Sequence, residues 1–184
     1  RPANLLEGQP GRGYGIYEVK NKKIAVINLI GNVFMKKSQD LFSFTEKIIK
    51  KIQLKKNADF IIIDIHGEIT SEKMALGHFL DGKVTIVVGT HTHVPTSDTK
   101  ILKNGTAYQT DLGMCGDYDS VIGMKKELSI KRFTQKHIKT RLEPADGDGT
   151  LCGTILHIEG KNVKAFEQII LGGKLQKGQD GRSL

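Results

Sequence analysis

The chain has 184 residues, of which 38% are hydrophobic and 26% carry a charge, so it is long enough for one globular domain with a buried core and short for two. This composition excludes a disordered chain, and apolar runs such as Phe60 to Ile63 fall far short of the roughly 20 residues that a membrane-spanning helix needs. The net charge of +8 is compatible with nucleic acid or phosphorylated ligands, although lysines this scattered favour a solvated surface. The two cysteines, Cys115 and Cys152, form no disulfide framework, which predicts a protein of the reducing cytoplasm.

The amino-terminal segment begins Arg1-Pro2-Ala3-Asn4, with neither an initiating methionine nor a signal sequence. We therefore expect a chain that starts within a longer sequence. Four glycines and one proline over residues 8–15 predict a loop. A phosphate-binding glycine loop is the weaker interpretation, because no strand pattern precedes this segment and no helix pattern follows it.

The next part of the chain alternates between short β-branched runs and amphipathic segments. The predicted elements are strands at residues 24–30, 60–65 and 84–88 and helices at residues 39–54 and 71–80. Ser38 and Ser71 are the expected N-caps of the two helices. Strands and helices in this order indicate an α/β domain with parallel strand pairing.

The remainder of the chain has more glycines and an alternation of apolar and polar residues, which is typical of antiparallel strands. Strands are predicted at residues 107–112, 128–133, 151–158 and 163–171. The last two are expected to form a hairpin that turns near Gly160. The glycine-rich and lysine-rich residues 172–184 are predicted to be a flexible tail, which follows a domain of residues 1–171.

Three histidines follow predicted parallel strands. His66 comes directly after the second strand, and His91 and His93 come after the third. Ligands bind at the carboxyl ends of strands in open α/β sheets, and side chains at i and i+2 of an extended backbone point to the same side. The pattern predicts that His66, His91 and His93 bind one metal or two adjacent metals. Asp64 and Glu68, at alternating positions around His66, are candidates to orient an imidazole through its second nitrogen.

Other reactive residues give weaker signals. His78, His137 and His157 lie in a helix, a lysine-rich stretch and a late strand, and we interpret them as structural. No GxSxG motif supports a serine hydrolase. Cys115 has no neighbour in the sequence that would activate its thiol, so we do not expect it to be a nucleophile.

The segments around the three histidines resemble a known family. The strings that carry the resemblance are Asp64-Ile65-His66-Gly67-Glu68-Ile69-Thr70-Ser71-Glu72-Lys73, Val88-Gly89-Thr90-His91-Thr92-His93-Val94, Gly105-Thr106-Ala107-Tyr108, Thr110-Asp111-Leu112-Gly113-Met114 and Asp119-Ser120-Val121-Ile122-Gly123-Met124. They closely resemble the bacterial YmdB-type branch of the calcineurin-like metallophosphoesterases. The resemblance extends from Arg1 to about Leu171, and Gly67 stands where the family's pattern has alanine.

The resemblance implies a four-layered α/β/β/α sandwich, of which this chain would be the C-terminal two thirds. It also implies two transition-metal ions, commonly iron or manganese, and phosphodiesterase activity towards cyclic nucleotides, including the 2′,3′-cyclic type. By motif, His66 and His91 would bind one metal and His93 the other, while Arg1 and Asn4 would lie near the phosphate. Two such metals clamp the phosphate oxygens and activate a water for attack on phosphorus.

Part of the family's site has no counterpart in this sequence. The family's N-terminal third supplies a metal-binding Asp, a bridging acidic residue, and a metal-binding Asn followed by the His proposed as general acid, so no catalytic residue is identified in this chain. Three neutral imidazoles do not neutralise two metal cations. We therefore expect the chain alone to bind metal weakly and to hydrolyse phosphodiesters slowly or not at all.

An inactive module that binds nucleotides or RNA on the same fold is the alternative function. General RNA binding has less support, because aromatic residues are only 6% of the chain and no Trp is present to stack on bases. A small phosphodiester or cyclic nucleotide is the expected partner, with no membrane contact. A homo-oligomer is compatible with the sequence, which carries no signal for its size.

Overall fold

A computed structural model describes residues 1–135, 137, 139–160 and 162–175, and it shows two β-sheets with helices packed on one face of the larger sheet. The α/β class predicted from the sequence is confirmed. Most of the predicted tail, residues 176–184, lies outside the described part of the chain. No helix in the described residues is both long enough and apolar enough to cross a membrane.

The large sheet contains six strands. They are β1 (Tyr14–Val19), β2 (Lys22–Ile30), β3 (Phe60–His66), β4 (Ile86–Thr90), β5 (Lys100–Ile101) and β6 (Ala107–Gln109). Their spatial order is β1-β2-β3-β4-β6-β5, with β2, β3, β4 and β6 parallel and with β1 and β5 antiparallel at the two edges. The three predicted parallel strands are thus confirmed, although β4 starts two residues later than expected.

The strands β1 and β2 form a hairpin that sequence reasoning missed. Lys20 and Asn21 connect them, and both residues have a positive φ, of 49° and 60°. Two consecutive residues with positive φ are typical of the type I′ turn, whose twist suits a hairpin. The predicted loop of residues 8–15 therefore ends at Tyr14, where β1 begins.

The small sheet has three antiparallel strands, β7 (Gly116–Asp117), β8 (Gly149–Glu159) and β9 (Asn162–Leu171). The β8–β9 pair confirms the predicted hairpin. Its residues alternate between the two faces of the sheet, so that Cys152 is buried while Leu151 is 52% exposed.

Three helices are present in the described residues, α1 (Leu41–Lys51), α2 (Thr70–Phe79) and α3 (Lys126–Thr134). The first two confirm the predicted helices, but their caps differ from expectation. Asp40, and not Ser38, caps α1, because its Oδ1 accepts the Ser43 amide hydrogen at 2.8 Å. At the start of α2 no side chain accepts a capping hydrogen bond, so the cap predicted for Ser71 is wrong.

The predicted strand at residues 128–133 is wrong, because these residues lie in α3. The alternation of apolar and polar residues suggested a strand with one buried face. In the structure Ser129 is buried, while Ile130 and Phe133 are 58% and 71% exposed. The alternating apolar residues therefore do not face the core. The segment is helical and is stabilised by local hydrogen bonds, such as that from the Ser129 amide to the Lys125 carbonyl at 3.1 Å.

The predicted strand at residues 107–112 is shorter than expected and ends at Gln109. Two side chains accept the backbone amides that come next. Asp98 Oδ1 accepts the Thr110 amide hydrogen at 3.1 Å, and Thr96 Oγ1 accepts that of Asp111 at 2.9 Å. These side-chain acceptors replace strand pairing at this point.

The core lies mainly between the large sheet and the helices α1 and α2, where side chains such as Ile63 and Leu76 are fully buried. A second apolar cluster connects the opposite face of the large sheet to the small sheet, and Val88 and Leu156 belong to it. Helices, large sheet and small sheet thus form three successive layers. The helix-covered face fixes the orientation of β3 and β4, whose carboxyl ends carry the candidate site.

Candidate functional site

The parallel strands β2, β3 and β4 end together at one edge of the large sheet. Ile30 pairs with His66, and His66 pairs with Thr90. His66 is therefore the last residue of β3, and His91 follows directly after β4. The structure brings these two predicted site residues together, with ring centroids 4.9 Å apart and ring planes at 75°.

A chain of hydrogen bonds orients the His66 ring. Asp64 accepts hydrogen bonds from Asn28 Nδ2 at 2.6 Å and from the Thr90 hydroxyl at 3.2 Å. His66 Nδ1 lies 3.0 Å from the same hydroxyl oxygen. Because an ionised carboxylate only accepts hydrogen bonds, the Thr90 hydroxyl hydrogen points to Asp64, and the oxygen accepts the Nδ1 hydrogen of His66. This arrangement leaves His66 Nε2 with a lone pair.

Glu68 orients the His91 ring directly. Its Oε2 lies 2.5 Å from His91 Nε2, where an ionised carboxylate accepts the Nε2 hydrogen. His91 Nδ1 then carries a lone pair, and it lies 3.2 Å from His66 Nε2. When both rings are neutral, two ring nitrogens without hydrogen thus face each other.

Two lone pairs at this separation repel each other unless a cation lies between them. Either a proton or a metal ion relieves this repulsion. In tetrahedral coordination with metal–nitrogen bonds of about 2.0–2.1 Å, two ligand nitrogens lie about 3.3 Å apart. The separation of 3.2 Å in this pair therefore fits two positions in the coordination shell of one metal ion.

His93 lies outside this pair. Its Nδ1 donates to the Ile122 carbonyl oxygen at 3.1 Å, so Nε2 is the nitrogen that remains for a ligand. The extended backbone predicted for this segment is wrong, because His91 has a φ of 136° and His93 a φ of 66°. Among the described residues no group of three or more His, Cys, Asp or Glu side chains is arranged to hold a metal ion. The shared role of the three histidines as metal ligands stays a prediction.

The environment of the pair changes the titration of two groups. Burial lowers the pKa of His66, and the repulsion that a protonated His66 would meet from a protonated His91 lowers it further. Burial also raises the pKa of Asp64, against the hydrogen bonds from Asn28 and Thr90, which lower it. A lowered imidazole pKa favours the neutral ring, which is the form that binds metal.

Arg1 and Asn4, predicted to lie near the phosphate, both make hydrogen bonds within the protein. Asn4 is fully buried, and its side chain donates to the Ile30 carbonyl at 2.8 Å and accepts the Ile30 amide hydrogen at 2.9 Å. Since Ile30 pairs with His66, Asn4 stabilises the strand end beside the histidines. Arg1 Nε donates to the Gly11 carbonyl at 2.9 Å. A phosphate contact from either residue stays a prediction.

Sequence reasoning missed Lys73, Thr90 and Asp111. Lys73 and Asp111 form a fully buried ion pair, with 3.2 Å between Nζ and Oδ2. The available signal was the position of Lys73, which lies three residues before Leu76 on the buried face of α2. Thr90 was indicated by strand register, since parallel pairing of β3 and β4 sets it beside His66.

The chain is similar over nearly its whole length to known proteins. Residues 1–169 match the family described as YmdB-like protein, and the chain belongs to this family. A 2′,3′-cyclic-nucleotide 2′-phosphodiesterase of Bacillus subtilis (strain 168) is 44% identical over 173 residues, which are 93% of this chain and 64% of that protein. The resemblance predicted from the motifs is therefore confirmed.

Two solved structures share the fold. A hypothetical protein from Thermus thermophilus has a TM-score of 0.86 and 36% identity, with 95% of this chain and 67% of that chain covered. A structure described as a novel phosphatase from Mycoplasma pneumoniae has a TM-score of 0.83 and 35% identity, with 94% and 63% covered. The chain thus spans about two thirds of the length of each of these proteins, and the named relatives are phosphodiesterase and phosphatase enzymes.

Proposed function

We propose that this chain forms part of a metal-dependent phosphodiesterase that hydrolyses cyclic nucleotides of the 2′,3′ type. The observation that carries the proposal is the facing pair of His66 Nε2 and His91 Nδ1, 3.2 Å apart. The other nitrogen of each ring is held by a hydrogen-bond partner, as is typical of metal-binding histidines. The substrate class rests on the 44% identity to the Bacillus subtilis phosphodiesterase.

In this proposal His66 and His91 hold one metal ion and His93 Nε2 contacts a second. Iron and manganese are the proposed metals, since imidazole suits transition metals. When bound, two such ions polarise the phosphate and activate a water towards phosphorus. Glu68 fixes the His91 ring by accepting its Nε2 hydrogen, and Asp64 acts on His66 through Thr90. The chain's own part is thus to orient neutral imidazoles at the edge of the sheet.

We extend the proposal to the architecture of residues 1–171. The large sheet packs on helices with one face and on the small sheet with the other, through side chains such as Val88 and Leu156. A helical layer outside the small sheet would complete a four-layered α/β/β/α sandwich. The chain would then supply about two thirds of that domain, in line with its 64% coverage of the Bacillus relative.

Metal binding by the chain tests the histidine pair directly. Titration calorimetry with Zn²⁺ compares the wild type with His66→Gln, His91→Gln and the control His157→Gln. His157 is a suitable control because its side chain is 57% exposed on β8. We expect each of the first two variants to weaken binding at least tenfold and the control to leave it unchanged. Equal affinity in all four proteins would contradict the metal-binding role.

Hydrolysis of a 2′,3′-cyclic nucleotide and of a generic phosphodiester tests the reaction. The chain is assayed with Mn²⁺, after EDTA, and after Mn²⁺ is restored. Any hydrolysis by the chain alone should be slow, abolished by EDTA and restored by Mn²⁺, because the water needs a metal to become a nucleophile near neutral pH. Hydrolysis that survives EDTA and the replacement of all three site histidines would refute the mechanism. Nucleotide binding that EDTA leaves unchanged and that gives no turnover would support the inactive binding module instead.

A further inference from the structure

The buried ion pair of Lys73 and Asp111 has no part in the function proposed above. Lys73 Nζ lies 3.2 Å from Asp111 Oδ2 and 3.5 Å from the Thr90 carbonyl oxygen, and both side chains are shielded from solvent. A buried ion pair contributes little to stability compared with apolar residues of similar volume. The contacts of the pair therefore suggest a role other than stability.

Asp111 uses its remaining acceptor capacity on the backbone beside the candidate site. Its Oδ2 accepts the Thr92 amide hydrogen at 2.8 Å, and its Oδ1 accepts that of Gly113 at 3.0 Å. Thr92 is the residue between His91 and His93. The carboxylate thus holds the backbone of the histidine turn, residues 91–93, at its centre.

This turn has a backbone conformation that needs support. His91 and His93 have φ angles of 136° and 66°, in the region that residues other than glycine rarely adopt. Such conformations persist where the surrounding structure over-determines them. Residues 91–93, all within the described part of the chain, belong to no strand, so individual hydrogen bonds hold the turn. The Thr92 amide donates to Asp111 at its centre, and the His93 carbonyl accepts from the Tyr118 hydroxyl at 3.0 Å at its end.

Lys73 also contacts the strand end that precedes the turn. A Cβ atom built on Gly89 would lie 2.9 Å from Lys73 Cδ and would overlap the Thr110 carbonyl. The lysine stem therefore packs closely under β4, one residue before Thr90. The ammonium group opposes the charge of Asp111, and the stem supports the strand from which the turn departs.

The geometry points to Lys73 and Asp111 as a pair of positioning residues that set the backbone of the histidine turn and thereby the directions of the His91 and His93 rings. Neither residue touches substrate in this assignment. The inference rests on the proposed function only in that the two histidines serve the site. The positions of the two rings can be measured in the metal-free chain, without any hydrolysis.

A purely structural pair would affect folding and leave the turn of the folded protein unchanged. The variants are Asp111→Asn and Lys73→Met, and Thr106→Val is the matched control. Thr106 is fully buried, and its hydroxyl donates to the Val84 carbonyl at 2.7 Å, before β4 and away from the turn. All proteins are compared well below their melting temperatures, by NMR of the Thr92 amide and of the imidazole nitrogens.

We expect Asp111→Asn and Lys73→Met to shift the Thr92 amide signal and the ring signals of His91 and His93, with those of His78 and His157 unmoved. Thr106→Val should lower the melting temperature and leave the turn signals in place. Zn²⁺ affinity should fall about 10- to 100-fold in Asp111→Asn, as is typical when a group that orients a metal ligand is lost. Turn signals at wild-type positions in the folded variants, or equal shifts in the control, would overturn the inference.

A measurement on the wild type covers the case in which the variants do not fold. Native-state hydrogen exchange reports how firmly Asp111 holds the turn, since exchange requires the amide hydrogen bond to open. We expect the Thr92 amide to be protected like the amides of β4. Exchange of Thr92 at the rate of a free loop would overturn the inference. Zn²⁺ affinity that His66→Gln and His91→Gln leave unchanged, in a chain whose Thr92 amide is protected, would count against the proposed function alone.

Discussion

Removal of one partner of the Lys73–Asp111 pair is expected to destabilise the fold strongly. The two side chains are 0% and 1% exposed, so Lys73→Met leaves the Asp111 carboxylate in the interior without an opposite charge. Breaking a buried ion pair in this way costs about 3–5 kcal/mol. A domain has a total free energy of unfolding of about 5–15 kcal/mol, so the loss is a large part of the whole.

The double variant Lys73→Met, Asp111→Asn removes both charges. Its loss in the free energy of unfolding should be smaller than the sum of the losses of the two single variants. The asparagine oxygen can accept one of the two amide hydrogens now bonded to Asp111, from Thr92 or Gly113. The other amide is left without an acceptor, at about 1–3 kcal/mol. The two single variants together should lose about 6 kcal/mol or more of the free energy of unfolding, and the double variant at most about 3 kcal/mol. The coupling energy between the two sites, which is the difference, is therefore at least about 3 kcal/mol.

Urea unfolding followed by circular dichroism measures these losses, with a common m-value as the condition for comparing them. Lys83→Met is the control, because this lysine donates to the Phe79 carbonyl at the surface and should cost less than about 1 kcal/mol. A loss below about 1 kcal/mol for Lys73→Met would refute the reasoning, as would single losses that simply add in the double variant. If the single variants fail to fold while the double variant folds, the result would support the destabilising effect of an unpaired buried charge.

Two further predictions concern stability away from the histidines. Burial raises the pKa of Asp98, but hydrogen bonds from Thr110 and Thr96 outweigh it and leave the pKa lowered. The ionised Asp98 carboxylate therefore stabilises the fold above the ordinary pKa of 3.8, and this stabilisation is lost as the pH falls through the folded-state pKa. Asp98→Asn should lower the free energy of unfolding by about 1–3 kcal/mol at neutral pH and by progressively less in acid. Urea unfolding at a series of pH values measures this difference. Gly77→Ala should cost about 1–3 kcal/mol, because the new Cβ would overlap the ring of buried Tyr108, whereas Gly153→Ala, with open space at its Cβ, should cost less than about 1 kcal/mol. Equal melting temperatures for the two alanine variants would contradict this interpretation of the contact.

The sheet that carries the site could be predicted from the sequence because its central strands bury one face fully and the other partly, as the alternation of buried and half-buried residues in β3 shows. Such strands form β-branched runs, and the helices α1 and α2 connect the parallel pairs β2–β3 and β3–β4. Because parallel strands end at the same edge of a sheet, the sequence also predicted that His66 and His91 lie together there. The structure confirms this contact. Strand β1 escaped prediction because it is an edge strand with mostly exposed residues, where burial imposes no pattern.

The details of the site could not be predicted, since they depend on contacts between residues distant in the chain. Thr90 connects Asp64 to His66 across two strands, and Asp111 reaches the turn from beyond β6. The extended backbone expected for residues 91–93 failed for the same reason. Local spacing favours an extended segment, but the Thr92 amide hydrogen has its acceptor in a side chain 19 residues later.

The charge around the histidines differs from the charge of the whole chain, and this difference bears on phosphate binding. The chain carries a net charge of +8, yet the groups bonded to the histidine rings are Glu68 and, through Thr90, Asp64. The buried Lys73 ammonium is already paired with Asp111. With neutral imidazoles, these four groups together carry a net negative charge, which would repel a phosphodiester anion.

A bound metal cation would reverse this negative charge. We therefore expect both nucleotide binding at the edge and turnover to require metal. We expect affinity for a non-hydrolysable cyclic nucleotide analogue to fall at least tenfold when EDTA replaces Mn²⁺, measured by calorimetry on the same chain. Glu68→Gln should reduce the difference between the two conditions, because it removes one of the repelling charges. Binding that is equally tight in EDTA, and is lost in His66→Gln, would show that the edge recognises the anion without a metal and would contradict the electrostatic argument.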